Sequence, residues 1–387
     1  MLGIGLAWPI LPRLIEELAG GGISEAAYAY AWIGALYAIA QFLFAPLLGA
    51  LSDARGRRPV LITAQAALAV DYLVMVIVPD LWWLAHLRFL SGVFGATMAT
   101  ANAYVADIST PEDRARNFGF IGASFGLGFI LGPVLGGLLG EVSLRLPFLV
   151  AGVLTTANVV FGLLVLPESL PAERREPFTA AKANPFGTFA RIARFPSLAG
   201  LLSAHALTGL AQRGLEATWV LYTAYRFGWG VAAGAISLAF VGLVYFVVQS
   251  SLVGPIVARL GERRTLAVGL ALGALSMAFY AVATEGWQAY PLIAIYCFGN
   301  AIAQPTLLSL ASGKVSEREQ GALQGTMASI NSASIILGPL VASLVLSVAT
   351  ANDQSVIPAG TWFMLATALY LIALAVVRRE GVGTRSS

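Results

Sequence analysis

Charge is scarce in this chain. Only 11% of its 387 residues are charged, against roughly 25% in a soluble domain. One cysteine, Cys297, and two histidines, His86 and His205, complete a thin set of reactive groups. A single thiol closes no disulfide, and no His/Cys spacing suggests a metal site. No nucleophile–base pair and no Gly-rich Lys phosphate loop occurs, which argues against an enzyme and against nucleotide as the energy source. The formal charge of +3 gives no reason to invoke nucleic acid, because the basic residues sit in short loops between apolar runs. What the chain has in excess is hydrophobicity, 58% of residues with a mean hydropathy of +0.79. Such a composition describes a polytopic membrane protein with little material outside the bilayer.

Apolar runs and their breakers give twelve predicted spans. They fall at about 1–18, 28–51, 60–78, 81–105, 117–140 and 146–166, then 197–223, 232–258, 266–284, 288–312, 321–349 and 358–377. The first is short: an ideal helix over 1–18 reaches only about 27 Å, so residues upstream are expected to be missing. The expected organisation is an N-terminal six-helix bundle at 1–166, a cytoplasmic linker at 167–196 and a C-terminal bundle with a short tail at 197–387. Of the 23 Lys and Arg residues, 18 fall on one side of this scheme, among them Arg55, Arg114, Lys182, Arg259, Lys314, Arg318 and Arg378. Positive charge marks the cytoplasmic face, so the linker and both termini are expected there, in an inner membrane.

The chain also repeats itself. GALSDARGRRPVL at 49–61 returns as GPIVARLGERRTL at 254–266, 205 positions later. Gly132-Pro133 and Gly338-Pro339 match at an offset of 206, and Glu112 and Glu317 at 205. Two related membrane halves with the same orientation point to a secondary transporter.

Together with GIGLAWPILP (3–12), LYAIAQF (36–42), YVAD (104–107), EDRARNFGF (112–120), GFILGPVLGG (128–137) and EQGALQG (319–325), these segments resemble the major facilitator superfamily. Within it the chain resembles the tetracycline/proton antiporter branch of drug exporters over almost its whole length. The resemblance implies an all-α fold of two six-helix bundles. It also implies proton-coupled export of amphipathic small molecules by alternating access, with tetracyclines among the candidates. No cofactor is implied beyond the proton gradient, and the partners are substrate, protons and lipid, with one chain sufficient. The same scaffold also serves importers of small metabolites, and a transport-dead sensor or scaffold is the reading from another class.

Candidate residues follow. Asp71 and Arg88 lie eight or nine positions either side of the turn at Pro79-Asp80, so both should sit about 13 Å below the outer surface. Same-depth opposite charges inside a membrane are read jointly, either as a proton-coupling pair or as a fixed structural one. Glu216 and Arg213, three apart on one face of the seventh helix, are expected in its outer third. Glu216 is a further coupling candidate or half of an intrahelical pair.

The hairpin residues Gly49, Asp53, Gly56, Arg57 and Arg58, with Asp107, resemble the family's gating loop. Gly49 would permit close helix approach and Gly56 a tight turn, with Asp53 capping the eleventh helix near Gly321 and the two arginines completing a charge cluster with Asp107. Ala258 stands where the second copy would repeat Asp53. Gly128, Gly132, Pro133, Gly136 and Gly137 form the antiporter pattern, and their spacing lets helices touch closely. Asn102, His205, Gln212, Arg213, Asn300 and Gln304 are candidates to line a substrate cavity. His86, beside Trp82 and Trp83, suits the membrane interface. A family carboxylate of the ninth span is absent, Gly273 standing in its place.

Overall fold

The computed structural model describes residues 2–20, 22–110, 113–179, 198–315, 320–351 and 358–383. Fifteen α-helices occur among them. The first run is broken into α1 (Leu2–Ala7) and α2 (Leu11–Ala19), because Pro9 brings no backbone N–H to the ladder and Pro12 sits comfortably in a new first turn. Next come α3 (Ile23–Arg55), α4 (Arg57–Met75), α5 (Leu81–Gly95) and α6 (Met98–Ile108). The predicted span 81–105 is thus two helices, parted at Ala96 and Thr97. After these come α7 (Arg114–Val142), α8 (Leu146–Val165) and a short 3₁₀ turn, Ala172–Arg174.

The second half contains α9 (Ala199–Phe227), α10 (Val231–Val247), α11 (Val253–Leu260) and α12 (Glu262–Val282). It ends with α13 (Gly286–Ser312), α14 (Gln320–Ala349) and α15 (Thr361–Gly383). A five-residue π turn, Val248–Leu252, joins α10 to α11. Eight helical segments among the described residues are long and apolar enough to cross a membrane. Their outward faces are apolar: Leu164 on α8 is 80% exposed and Val142 on α7 is 78% exposed, a surface suited to lipid rather than water.

Two helix starts carry a capping side chain of their own. Asp80 accepts a hydrogen bond from the Trp83 N–H at 2.9 Å and caps α5. Glu285 and Gln288 form a reciprocal capping box on α13. The repeated hairpin is a repeat in backbone as well as sequence. Gly56, between α3 and α4, has φ +104° and ψ +156°, and Gly261, between α11 and α12, has φ +75° and ψ +156°, a region open essentially to glycine alone.

By contacts the chain divides into two compact units. One holds residues 1–20, 32–186 and 231–236; the other holds 21–31, 187–230 and 237–387. Within the first, α1 packs on α7 and α4 on α8. Within the second, α9 packs on α14 and α15, and α12 on α13 and α15. Glycines set the closest crossings. A Cβ on Gly269 would strike the Gly299 carbonyl of α13, and one on Gly214 of α9 would strike the Trp362 ring of α15. Cys297 is fully buried.

Candidate functional site

The buried charges of the first unit come together as the depth count required. Asp71 on α4 is 5% exposed and Arg88 on α5 is 7% exposed. The Arg88 Nη2 donates to Asp71 Oδ2 at 2.6 Å, and the Ser91 hydroxyl donates to the same oxygen at 2.6 Å. Asp71 Oδ1 and Arg88 Nε are both buried without a hydrogen-bond partner among the described residues. Gly92, one residue beyond Ser91, lets the backbone of Tyr37 on α3 close over this spot. The carboxylate is therefore held on one oxygen and unpaired on the other. A proton taken at Oδ1 would cancel the charge that holds Arg88. Ser91 escaped notice in the sequence, although it is three residues from Arg88 and hence on the same helix face.

At the hairpin, Arg57 joins two carboxylates. Its Nη1 is paired with Asp53, and its Nε reaches Asp107 Oδ2 at 3.4 Å. Arg57 also donates to the Ser52 hydroxyl at 2.7 Å. Arg58, expected in the same cluster, is not part of it. Its Nη2 donates to the Leu163 carbonyl at 2.8 Å, because successive helix positions point about 100° apart and position 58 faces the last turn of α8. Gly49 also departs from expectation: a Cβ there would meet nothing within 4 Å, so it makes no close approach to a neighbouring helix among the described residues. Glu112 and residues 316–319, which include Glu317 and Arg318, lie outside the described residues, as do Lys182, Arg191, Arg194 and Arg385. The surroundings of Gly321 are likewise not described.

The segment after α8, read from sequence as the start of a linker, is fastened to this hairpin. Glu168 Oε1 accepts from the Arg57 N–H at 2.9 Å and from the Leu170 N–H at 3.0 Å. It thereby caps α4, which has no capping side chain at Gly56. Ser169 donates to Asp107 at 3.2 Å, the Tyr104 hydroxyl to the Pro167 carbonyl at 3.1 Å, and the Glu176 N–H to the Asp53 carbonyl at 3.1 Å. Leu170 is buried. Losing such a cap costs about 1 kcal/mol. Glu168→Ala is therefore expected to lower the unfolding temperature of the solubilised protein and to speed tryptic cleavage at Arg174 and Arg175. Unchanged cleavage would show that the cap does not hold the segment down.

The glycine pattern of α7 has a partner. Cβ atoms on Gly132 and Gly136 would strike the backbone of Gly5 and Leu6 on α1, and one on Gly5 would strike the Gly128 carbonyl. Pro133 is buried in the interior of α7. Gly137 looks another way: a Cβ there would meet Ala235, close to where Glu141 accepts from the Ala232 N–H at 2.9 Å and caps α10. His86 is exposed, hydrogen-bonded through Nδ1 to the Trp82 carbonyl at 2.8 Å, with its ring edge-on to Trp82.

In the second unit, Arg213 and Glu216 pair at 2.8 Å. The pair is not in the outer third of its helix. It occupies positions 15 and 18 of the 29 residues in Ala199–Phe227, just past the midpoint, because α9 runs four residues beyond the predicted end at 223. From Glu216 a ladder of polar groups runs inward. Gln212 Nε2 donates to Glu216 at 2.9 Å, Asn300 Nδ2 donates to Gln212 Oε1 at 3.2 Å, and the Tyr370 hydroxyl donates to Asn300 Oδ1 at 3.3 Å. Asn300 also donates to the Tyr296 hydroxyl at 3.1 Å. Gly273 finds its reason here. A Cβ at that position would collide with the Tyr370 ring, so the ring fills the place where the ninth span would otherwise carry a side chain.

His205 and Gln304 line a cleft of about 660 Å³ together with Gln249, Gln324, Asn331, Val253, Leu308 and Met327. Asn331 Oδ1 accepts from Arg213 Nη2 at 3.4 Å, which links cleft and ion pair. Asn102, half-buried on α6, makes no hydrogen bond among the described residues.

The family profile of the Major Facilitator Superfamily matches residues 1–339. The class C tetracycline resistance protein of Escherichia coli is 38% identical over 378 residues, 98% of this chain and 93% of that protein. The chain belongs to the major facilitator superfamily, in the branch of the tetracycline resistance proteins. The class G protein of Vibrio anguillarum is 37% identical over 98% of this chain and 94% of its own length. Among solved structures, a peptide transporter, POT, superposes with a TM-score of 0.74 at 16% identity, covering 98% of this chain and 93% of that one. The human organic anion transporter MFSD10 (TETRAN) gives 0.69 at 24% identity, covering 97% and 95%. These two likenesses speak to the fold alone. As a member of the major facilitator superfamily, this protein is a transporter and not an enzyme.

Proposed function

We propose that this transporter exports amphipathic small molecules, tetracyclines among them, in exchange for protons across the inner membrane by alternating access. The observation that carries the reading is Asp71: buried, held on one oxygen by Arg88 and Ser91, and unpaired on the other. A fixed structural pair gains most when every polar atom is satisfied. An unsatisfied carboxylate oxygen in a dry site is instead a place for a proton to arrive.

In this reading the chain crosses the membrane twelve times, with both termini in the cytoplasm, and the bundles are divided at the 167–196 linker. A single chain is sufficient. Asp71 loads a proton from the outer side, and Arg88 moves with its charge. Glu216, balanced by Arg213, is a second loading site. Asp53, Arg57 and Asp107 serve as the cytoplasmic gate. Gly128, Gly132, Pro133 and Gly136 form the packing seam on which α7 moves against α1, and Gly137 serves the contact with Ala235. Gln212, Asn300, His205 and Gln304 face substrate. Support comes from the full-length similarity to tetracycline resistance proteins of several classes and from the cytoplasmic-type bias of basic residues.

Everted membrane vesicles test it. With the lumen acidified, wild-type protein is expected to accumulate tetracycline, and a protonophore to release it. Accumulation that ignores the gradient would remove proton coupling, and loss of preloaded tetracycline driven by the gradient would reverse the direction.

A further inference from the structure

Serine hydroxyls inside the helices of this chain have an ordinary fate. Those of Ser124, Ser329, Ser332 and Ser334 each donate to the carbonyl four residues back on their own helix, the local option open to any helical serine. Ser91 on α5 does not take it. Its hydroxyl crosses to α4 and donates to Asp71 Oδ2 at 2.6 Å, and Ser91 is itself buried. The turn that carries it is clamped from another side. A Cβ on Gly92 would strike the Tyr37 carbonyl of α3, and one on Gly95 would come within 3.2 Å of the Tyr37 hydroxyl. Gly92 and Gly95 lie three apart, on one face of α5, so α3 rests directly on the helix there. The hydroxyl is delivered by a backbone with little room to move, as a pre-set hydrogen bond requires.

Few other groups act on this carboxylate. Arg88 faces it from α5, and the phenols of Tyr37 on α3 and Tyr72 on α4 interact with it electrostatically. The helices α1 and α8, which border α4, have no titratable side chain. On α6, which also packs on α4, Asp107 is occupied by Arg57 and Tyr104 by the Pro167 carbonyl. Asp71 thus has two hydrogen-bond donors among the described residues, one charged and one neutral. A donor on the ionised form of a carboxyl group favours that form. Arg88 does this and also compensates a buried charge, so its loss disturbs more than acidity. Ser91 carries no charge, and removing its hydroxyl leaves the ion pair in place. Both donors sit on Oδ2 while Oδ1 has no partner, which directs an incoming proton to Oδ1.

We infer that Ser91 is the positioning residue of the Asp71 site: its hydroxyl fixes the orientation of the carboxyl group, leaves Oδ1 for the proton, and sets the pH at which that proton binds. The hydroxyl needs no charge on its partner to make its bond, so it can hold Oδ2 before and after protonation. The part that Ser91 plays in transport rests on the export reading, in which Asp71 is loaded. Its effect on proton binding does not, and the two are measured separately.

Infrared spectroscopy of the purified full-length protein follows the stretch of protonated carboxyl groups against pH, and Asp71→Asn identifies the Asp71 band as the one it removes. Ser91→Ala should move the midpoint of that band to higher pH by about one to two units, the worth of one hydrogen bond to a charged group. Ser91→Cys, nearly the same size but a weak donor, should move it the same way by less, and it decides the matter if Ser91→Ala fails to accumulate. Ser91→Thr, which keeps the hydroxyl, should titrate close to wild type. In everted vesicles the pH profile of tetracycline uptake by Ser91→Ala should be displaced to higher pH in step with the band. A wild-type midpoint in Ser91→Ala and Ser91→Cys, or a midpoint in Ser91→Thr displaced as far as in Ser91→Ala, would overturn the role of Ser91 alone. If no titrating band is removed by Asp71→Asn, that role falls together with proton loading at Asp71. If the band shifts as expected while vesicle uptake ignores the gradient, Ser91 stands and the export mechanism falls.

Discussion

Replacing Asp71 with Asn is expected to abolish gradient-driven efflux while leaving a folded, inserted protein. The amide keeps the size of the carboxyl group and an oxygen for Arg88 and Ser91, now bonded to Oδ2 at 2.6 Å each, but it cannot take a proton. The more informative comparison removes the partners in turn. Arg88→Ala leaves a buried carboxylate, and a carboxylate can neutralise itself by binding a proton. Asp71→Ala leaves a buried guanidinium, which has no such escape because it stays protonated at any working pH. Stranding a buried charge costs about 3–5 kcal/mol, and that penalty should fall mainly on Asp71→Ala. The double variant Asp71→Ala/Arg88→Ala should recover most of the lost stability without recovering transport. Yield and thermal unfolding in detergent measure the first effect, and vesicle uptake measures the second. Equal damage from the two single variants would contradict the asymmetry, and normal coupled efflux in Asp71→Asn would remove Asp71 from the mechanism.

Gly132→Val is expected to be the most damaging change outside the charge sites. The new Cβ would sit on the backbone of Gly5, and backbone atoms cannot rotate aside as a side chain can. Either α1 is pushed away from α7, or the protein fails to accumulate. Overpacking of this kind costs about 1–3 kcal/mol before lost contacts are counted, and in a membrane the close contact of small residues is itself the cohesive force. Gly126→Ala on the same helix is the control. A Cβ there meets nothing within 4 Å, so the variant should match wild type or gain about 0.5–1 kcal/mol from better helix propensity. Normal yield and an unchanged unfolding temperature for Gly132→Val would mean that the seam is not tight in the membrane.

Some of the site was legible from one-dimensional arguments. Asp71 and Arg88 flank a single turn, and counting helical rise from that turn places them at one depth. Arg213 and Glu216 are neighbours on one helix face. Gly56 and Gly261 announced themselves through the repeat, because a turn closed by positive φ needs glycine in both copies. Each case involves residues close in sequence or related by a fixed offset.

Other parts were not legible. Arg58 looked like a second Arg57, yet one helix step aims it at Leu163. Glu168 sat in what looked like a tether, and nothing in its own neighbourhood announces that it caps α4, more than a hundred residues earlier. The outer-third placement of Glu216 failed because a helix end was set four residues short.

Read alone, the residues were enough to place this chain in a bilayer as a duplicated helical transporter of the major facilitator superfamily, and to single out its few intramembrane charges as candidates. Those conclusions rest on hydropathy, periodicity and repetition, which are properties of residues near one another along the chain. Which groups meet was settled by the packing of distant helices: Ser91 on Asp71, Tyr370 over Gly273 and on Asn300, Glu168 on Arg57, Gln249 in the cleft with His205. A hydrogen bond is a matter of about an ångström and of direction. Helices distant in sequence are brought to that precision by glycine-thin crossings and one π turn, whose effect on a neighbour cannot be counted along a single strand of residues.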